Sequence, residues 1–291
     1  MLTVKVLDET GEALAGMPVH VWLSESAVRD GQTDSNGLFV AKGACTIKDI
    51  PISIVQEGYY DSRLNYSYPN YLSVKDHKWQ PWNPLVTVRI RRVKNPIPMF
   101  MKRVNAKLPV ENATFAFDLQ SGDWVDPYGR GQMSDLVFQV TRRVTSPNDY
   151  EGTLRLTFTN AFEGIQKAEG MIMESQFQFP RFAPTDGYQT NFVYTHGKDP
   201  INGYYGARVD DPQKYYLVRV RSVLDNEGKL KEALYGRLVG DIELSGMASS
   251  NNVRIAFTYY LNPTPNDRNL EFDPAKNLFK NLSSSEAVLD P

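Results

Sequence analysis

Hydrophobic and polar positions alternate with a period of two through most of this chain, in short runs separated by turn residues. Val19, Val21 and Leu23 alternate with His20 and Trp22. Val86, Val88 and Ile90 face one way, while Thr87, Arg89 and Arg91 face the other. Asp8-Glu9-Thr10-Gly11 and Thr33-Asp34-Ser35-Asn36-Gly37 carry turn chemistry between such runs. The pattern predicts strands over 2–7, 17–23, 37–42, 50–55 and 85–93. It predicts none over 59–84, a stretch instead dense in Tyr59, Tyr60, Tyr66, Tyr68, Tyr71, Trp79 and Trp82. A connection of that length without regular structure is unusual in a compact domain. It reads either as an aromatic binding surface or as a loop that packs on a second domain.

After Lys94-Asn95-Pro96-Ile97-Pro98, whose alternating prolines favour an extended joint, the alternation resumes. Strands are predicted over 113–119, 135–145, 152–160, 188–195, 214–224, 232–245 and 252–261. Leu154, Leu156 and Phe158 share one face. Around Leu217, Arg219 and Arg221 the alternation is consistent only with a bulge. Asp225-Asn226-Glu227-Gly228 joins two of these strands as a long hairpin. Residues 164–173 read as either a strand or a short helix. The prolines after Leu261 bar a central strand, while Leu270, Phe272, Leu278 and Phe279 predict packing along the body. No amphipathic helix with caps is seen. The expectation is an all-β chain: a β-sandwich over 1–94, a larger, mostly antiparallel β domain (sandwich or jelly-roll-like) over 99–282, and a mobile tail over 283–291.

The series Val4–Leu7, Gly16–Leu23, Thr33–Phe39 and Glu57–Tyr60 resembles the carboxypeptidase-regulatory-like (transthyretin-like) family of small Ig-like β-sandwiches. The resemblance covers about residues 1–60 and extends to the strand near 85–93. It implies a fold module, not an activity. Modules of this kind are common in exported and cell-envelope bacterial proteins, which implies a periplasmic, cell-surface or secreted location. No signal peptide precedes the first strand, so a cytoplasmic reading stays open beside it.

Composition adds bounds. Aromatics at 12%, with 16 Tyr and 14 Phe, suit β structure. A net charge of −2 gives no electrostatic reason to propose nucleic acid. No run of apolar residues reaches the ~20 needed for a transmembrane helix. The single cysteine, Cys45, excludes an intramolecular disulfide and a Cys-based metal cluster, and reads as a small buried hydrophobe.

Catalytic signatures are sparse. His20, His77 and His196 lie in separate segments without metal-ligand spacing. There is no nucleophile elbow, P-loop or dinucleotide fingerprint. No H-x-x-E occurs, so the zinc peptidase chemistry found beside regulatory-like modules does not carry over. The densest polar cluster is Phe117–Asp135. Three readings compete for it. Asp123, Asp126 and Asp135 offer several oxygens to Ca²⁺, the one cofactor considered. Asp123, Trp124, Asp126, Tyr128 and Arg130, with Trp79 and Trp82, offer carboxylates and ring faces to a sugar. Or the aspartates close turns on backbone amides, with Gly129 and Gly131 in left-handed conformations. A second polar–aromatic stretch, Thr185–Asp199 continuing to Tyr204, Tyr205 and Arg208, reads as a ligand groove or as a surface strand and loop.

The sequence therefore favours a non-enzymatic secreted or envelope protein for ligand binding, adhesion or assembly, with a protein or glycan partner. The alternatives are a carbohydrate-active or carbohydrate-binding protein centred on Asp123–Tyr128, and a self-assembling fibre, surface-layer or phage-tail subunit.

Overall fold

A computed structural model of the 291-residue chain describes all residues except 71–73, 207–213 and 249–251. Tyr71 and Arg208 therefore lie outside the described residues. The described chain is all-β, with no α-helix and one short 3₁₀ turn at Pro274–Lys276. It divides into two compact units, Met1–Asn95 with Gly170–Phe179 and Asp290–Pro291, and Pro96–Glu169 with Pro180–Leu289.

The first unit contains β1 (Leu2–Leu7), β2 (Pro18–Trp22), β3 (Val28–Gln32), β4 (Leu38–Ala41), β5 (Asp49–Ile54), β6 (Ser62–Ser67), β7 (Val74–Lys75), β8 (Lys78–Trp79) and β9 (Leu85–Arg89). One sheet runs β4-β1-β9 and the other β3-β2-β5-β6, with β1 and β9 parallel. Leu2, Val4, Val6, Val86 and Val88 from the first meet Val19, Val21, Ile50, Ile52 and Ile54 from the second in one buried core. Alternation dictates this: each strand turns its branched aliphatic side chains inward and its polar ones outward.

The expectation that 59–84 lacks regular structure is corrected. Ser62, Leu64 and Tyr66 alternate, and the strand they form pairs with β5 in the register Ile52↔Leu64. Its rings serve the unit's own core. Tyr68 is buried there, Tyr59, Tyr66 and Trp79 pack against it, and Tyr68 stacks on Trp79 at 5.0 Å. The edge of β6 is met by the excursion Gly170–Phe179. Arg63 N donates to Glu174 O (2.7 Å), Gln176 N donates to Asp61 O (2.8 Å), and Phe177 is wholly buried with its ring 5.4 Å from that of Tyr60.

The second unit contains β10 (Phe100–Lys107), β11 (Thr114–Asp118), β12 (Asp123–Trp124), β13 (Leu136–Ser146), β14 (Asp149–Thr157), β15 (Gly164–Lys167), β16 (Asn191–Asp199), β17 (Gly203–Gly206), β18 (Tyr215–Leu224), β19 (Leu230–Ser245) and β20 (Arg254–Leu261). These form a sheet β10-β20-β19-β18-β15 and a sheet β12-β11-β13-β14-β16-β17, antiparallel throughout. Their facing residues, among them Phe117, Phe138, Leu154 and Tyr194 against Val218, Leu238, Ile255 and Phe257, make one core. The region 164–173 contributes a strand, β15, and no helix. The tail packs: Leu270 and Phe272 are buried, and Phe279 sits against the core.

The bulge in β18 is present. Val220 pairs with Leu234 and Val223 with Glu232, so Arg221 and Ser222 together face one residue, Ala233. Arg221 has φ 53, a left-handed conformation that a long side chain adopts only under constraint.

Candidate functional site

The polar cluster at 117–135 is built on the hairpin of β11 and β12, in which Asp118 pairs with Asp123 and Phe117 with Trp124. The bulge in β18 swings Arg221 onto it. The Arg221 guanidinium donates from Nε to Asp135 Oδ1 (2.8 Å) and from Nη2 to Asp135 Oδ2 (2.8 Å) and Asp118 Oδ1 (2.7 Å). Its Nη1 donates to Gln120 Oε1. The remaining oxygen capacity of both carboxylates goes to backbone. Leu119 N reaches Asp135 at 2.8 Å, while Gln120, Ser121, Gln132 and Met133 all donate to Asp118 at 3.0–3.2 Å. Burial pushes the Asp118 carboxyl up, but the amides of Gln132, Ser121 and Met133 and the Arg221 charge outweigh it and hold it below its ordinary range. For Asp135 burial dominates over the Arg221 hydrogen bonds and raises it. The assembly is a clasp between the two sheets.

The other predicted positions scatter. Trp124 is buried, with its ring edge-on to Phe115 and Phe117 at 5.3 and 5.0 Å. Asp123 accepts from Trp124 N (2.9 Å) and Arg130 N (3.1 Å), which closes the turn. Asp126 and Tyr128 are exposed, and the Arg130 side chain is almost wholly so. Asp123, Asp126 and Asp135 are not brought together, and among the described residues no group of three or more His, Cys, Asp or Glu is placed to hold a metal ion. Gly129 and Gly131 are not left-handed; that conformation falls to Gly122, with φ 66. They are glycines for space instead, because a Cβ at Gly129 would lie 2.4 Å from Trp124 O, and one at Gly131 2.8 Å from Asp118 Cβ. In the first unit, Trp79 Nε1 donates to Cys45 O (2.9 Å), and Trp82 is half-exposed beneath the ammonium of Lys78, 5.0 Å from its ring. Cys45 is half-buried, and burial pushes its thiol up, away from the reactive thiolate.

The second polar–aromatic stretch forms β16 and β17, and here a cleft opens. Tyr150, His196, Gly197, Tyr204 and Tyr205 line it from one sheet and Leu244–Met247 from the other, around about 500 Å³. His196 pairs with Gly152, Lys198 with Tyr150, and Tyr204 with Lys198, so these side chains share the inner face of the sheet. Opposite Gly152 sits Met247, whose methyl occupies the space a Cβ there would need. Tyr205 pairs with Gly197, its ring occupies the space a side chain there would need, and its hydroxyl donates to Glu151 Oε2 at 3.0 Å. The alternation of β16 and the Tyr204-Tyr205 pair are visible in the sequence; Tyr150, in β14, and Met247, in the turn after β19, lie far along the chain and carry no signal that links them to it.

No protein-family model matches the chain, and no curated protein matches it. Among solved structures it is similar to a mutant form of the shaft pilin spaA from Lactobacillus rhamnosus GG, with 11% identity, 77% of this chain and 87% of the other covered, and a TM-score of 0.22.

Proposed function

We propose that this chain is a non-enzymatic binding protein, exported to a bacterial envelope or secreted, with a carboxypeptidase-regulatory-like sandwich as its first unit. The observation that carries this reading is the fate of the densest carboxylate cluster. A catalytic acid or base must present an oxygen or a proton to substrate. Asp118 and Asp135 instead spend their oxygens on Arg221 and on backbone amides. A cleft lined by the rings of Tyr150, Tyr204 and Tyr205 is a concave, mostly apolar surface suited to holding a ligand. Among the described residues no helix is long and apolar enough to cross a membrane. The resemblance of residues 1–60 to modules of exported proteins supports the location.

The test is a search for turnover alongside binding. The purified chain is expected to retain a glycan or protein ligand and release no product from polysaccharide and peptide panels. Asp126→Asn is expected to leave both binding and stability unchanged, within about 0.5 kcal/mol, and Asp123→Asn, which loses one of the two oxygens that close the turn, to leave binding unchanged. Hydrolysis of a defined substrate, abolished by either substitution with folding intact, overturns the reading.

A further inference from the structure

We propose that a slot on the outer face of the sheet β3-β2-β5-β6, walled by Trp22 on one side and by Arg63 and Asn65 on the other, binds a hexuronate, a pyranose ring that carries a carboxylate. The inference rests on the binding-protein reading above and gives the first unit a site and a ligand class of its own. The sheet itself makes the slot. Val19, Val21, Ile50, Ile52 and Ile54 turn into the core, which leaves His20, Trp22, Pro51 and Ser53 on the opposite face. β5 pairs with β6 over all six of its residues, Ser53 opposite Arg63 and Pro51 opposite Asn65. With β2 it pairs only at His20↔Ser53 and Val21↔Ile52. Continuing that register places Trp22 beside Pro51, whose nitrogen carries no hydrogen to extend a ladder. The β2–β5 ladder therefore stops there, and a hollow of about 540 Å³ opens over Pro51 and Ser53. Its walls stand on β2 and β6, two strand spacings or about 10 Å apart, which leaves room for one sugar ring.

The walls select the ligand. The half-buried Trp22 indole lines the hollow and offers apolar surface to the C–H groups of a pyranose. Across from it, the exposed Asn65 amide and the Ser53 hydroxyl offer donors and acceptors to ring hydroxyls. The Arg63 side chain is 78% exposed, and its ion-pair partner Asp61 stands 3.9 Å away, beyond hydrogen-bonding distance. An exposed pair at that separation is weak. The guanidinium fork is thus free to take a carboxylate through two parallel hydrogen bonds, the geometry it matches best. An extended peptide would need a free strand edge to pair with, whereas this slot lies over the interior strand β5.

The experiment titrates the full chain with glucuronate, galacturonate and their disaccharides, and with glucose, galactose and the matching neutral disaccharides, read by calorimetry and saturation-transfer NMR. A uronate is expected to bind about tenfold more tightly than its neutral counterpart, the ratio that one charge-assisted pair supplies. Arg63→Gln is expected to erase that preference at an unchanged melting temperature, and Arg63→Lys, which keeps the charge but not the fork, to retain part of it. Trp22→Ala is expected to weaken uronate binding about tenfold or more, and Trp22→Phe to retain it. Uronate binding that neither Arg63→Gln nor Trp22→Ala weakens overturns this site while the binding-protein reading stands. Equal binding of uronate and neutral sugar overturns the carboxylate assignment. A silent sugar panel overturns the proposal, and a peptide ligand that Trp22→Ala removes would replace its ligand class. Release of product from any sugar overturns the binding-protein reading itself.

Discussion

Arg221 reaches from β18 to Asp118 and Asp135 and ties together the two sheets of the second unit. Its guanidinium is the shared counterion of two carboxylates that are themselves at most 7% exposed. Removing one partner from a buried ion cluster strands the remaining charge, at a cost of about 3–5 kcal/mol. Arg221→Met keeps an unbranched side chain at the left-handed backbone position, so the substitution reports on the charge and not on the strain. The sign of its pH dependence follows from the two carboxyls. Asp118 is held below the ordinary value of 3.8, so in the wild type its contribution is present above that value and lost as pH falls through its folded value. Asp135 is raised, so its contribution is complete below 3.8 and fades as pH rises through its folded value. Without Arg221 both carboxyls rise, and the variant tolerates them only when protonated. The destabilisation by Arg221→Met, measured by urea denaturation, is therefore expected to be larger at pH 7 than at pH 4. An equal loss at both would mean that the guanidinium acts through packing alone.

At the scale of elements, the excursion Gly170–Phe179 is the least expected piece of the fold. Phe177 is wholly buried, against Tyr60 and beneath Arg91, whose guanidinium lies 5.3 Å from its ring. Phe177→Ala is expected to cost the first unit about 3–5 kcal/mol, the range for emptying a buried phenylalanine site. Tryptophan fluorescence during denaturation reads this well, since Trp22, Trp79 and Trp82 belong to that unit and Trp124 to the other. A shift confined to signals of the second unit would contradict the assignment. Nothing in the residues 170–179 announces such a role, because the strand edge they meet is a hundred residues away in sequence. Elsewhere legibility tracks alternation. Strands such as β1, β9, β14 and β20 read directly, because one face is buried and the other is not. β10 escaped because its buried residues Met101 and Val104 are spaced by three, breaking the period of two. β3 escaped because Val28-Arg-Asp-Gly-Gln32 is an edge with little to bury. In the candidate site the turn chemistry of Asp118 and Asp123 is legible, while Arg221, which completes the clasp from 86 residues beyond Asp135, is not.

For the whole molecule, the excursion means that the chain does not finish its first unit before starting its second. Synthesis to Asn95 supplies both sheets of the N-terminal sandwich but leaves the edge of β6 without the hydrogen bonds from Arg63 N to Glu174 O and from Gln176 N to Asp61 O. It also leaves Tyr60 without Phe177, and the Arg91 guanidinium without the Gly170 carbonyl it reaches at 3.3 Å. An unpaired strand edge beside an uncovered ring is a site for wrong pairing. A fragment of residues 1–95 is therefore expected to unfold at lower urea than the same sandwich in the intact chain and to self-associate as its concentration rises. A synthetic peptide of residues 170–179 is expected to restore part of that stability by mass action, with the midpoint rising with peptide concentration. Replacing Phe177 by Ala in the peptide removes its largest buried group, so it should abolish the rescue. A fragment that matches the intact sandwich and ignores the peptide would show that the excursion merely rests on a finished domain. A rescue that depends on Phe177 would show that the first unit is completed by sequence made seventy-five residues after its N-terminal segment ends at Asn95.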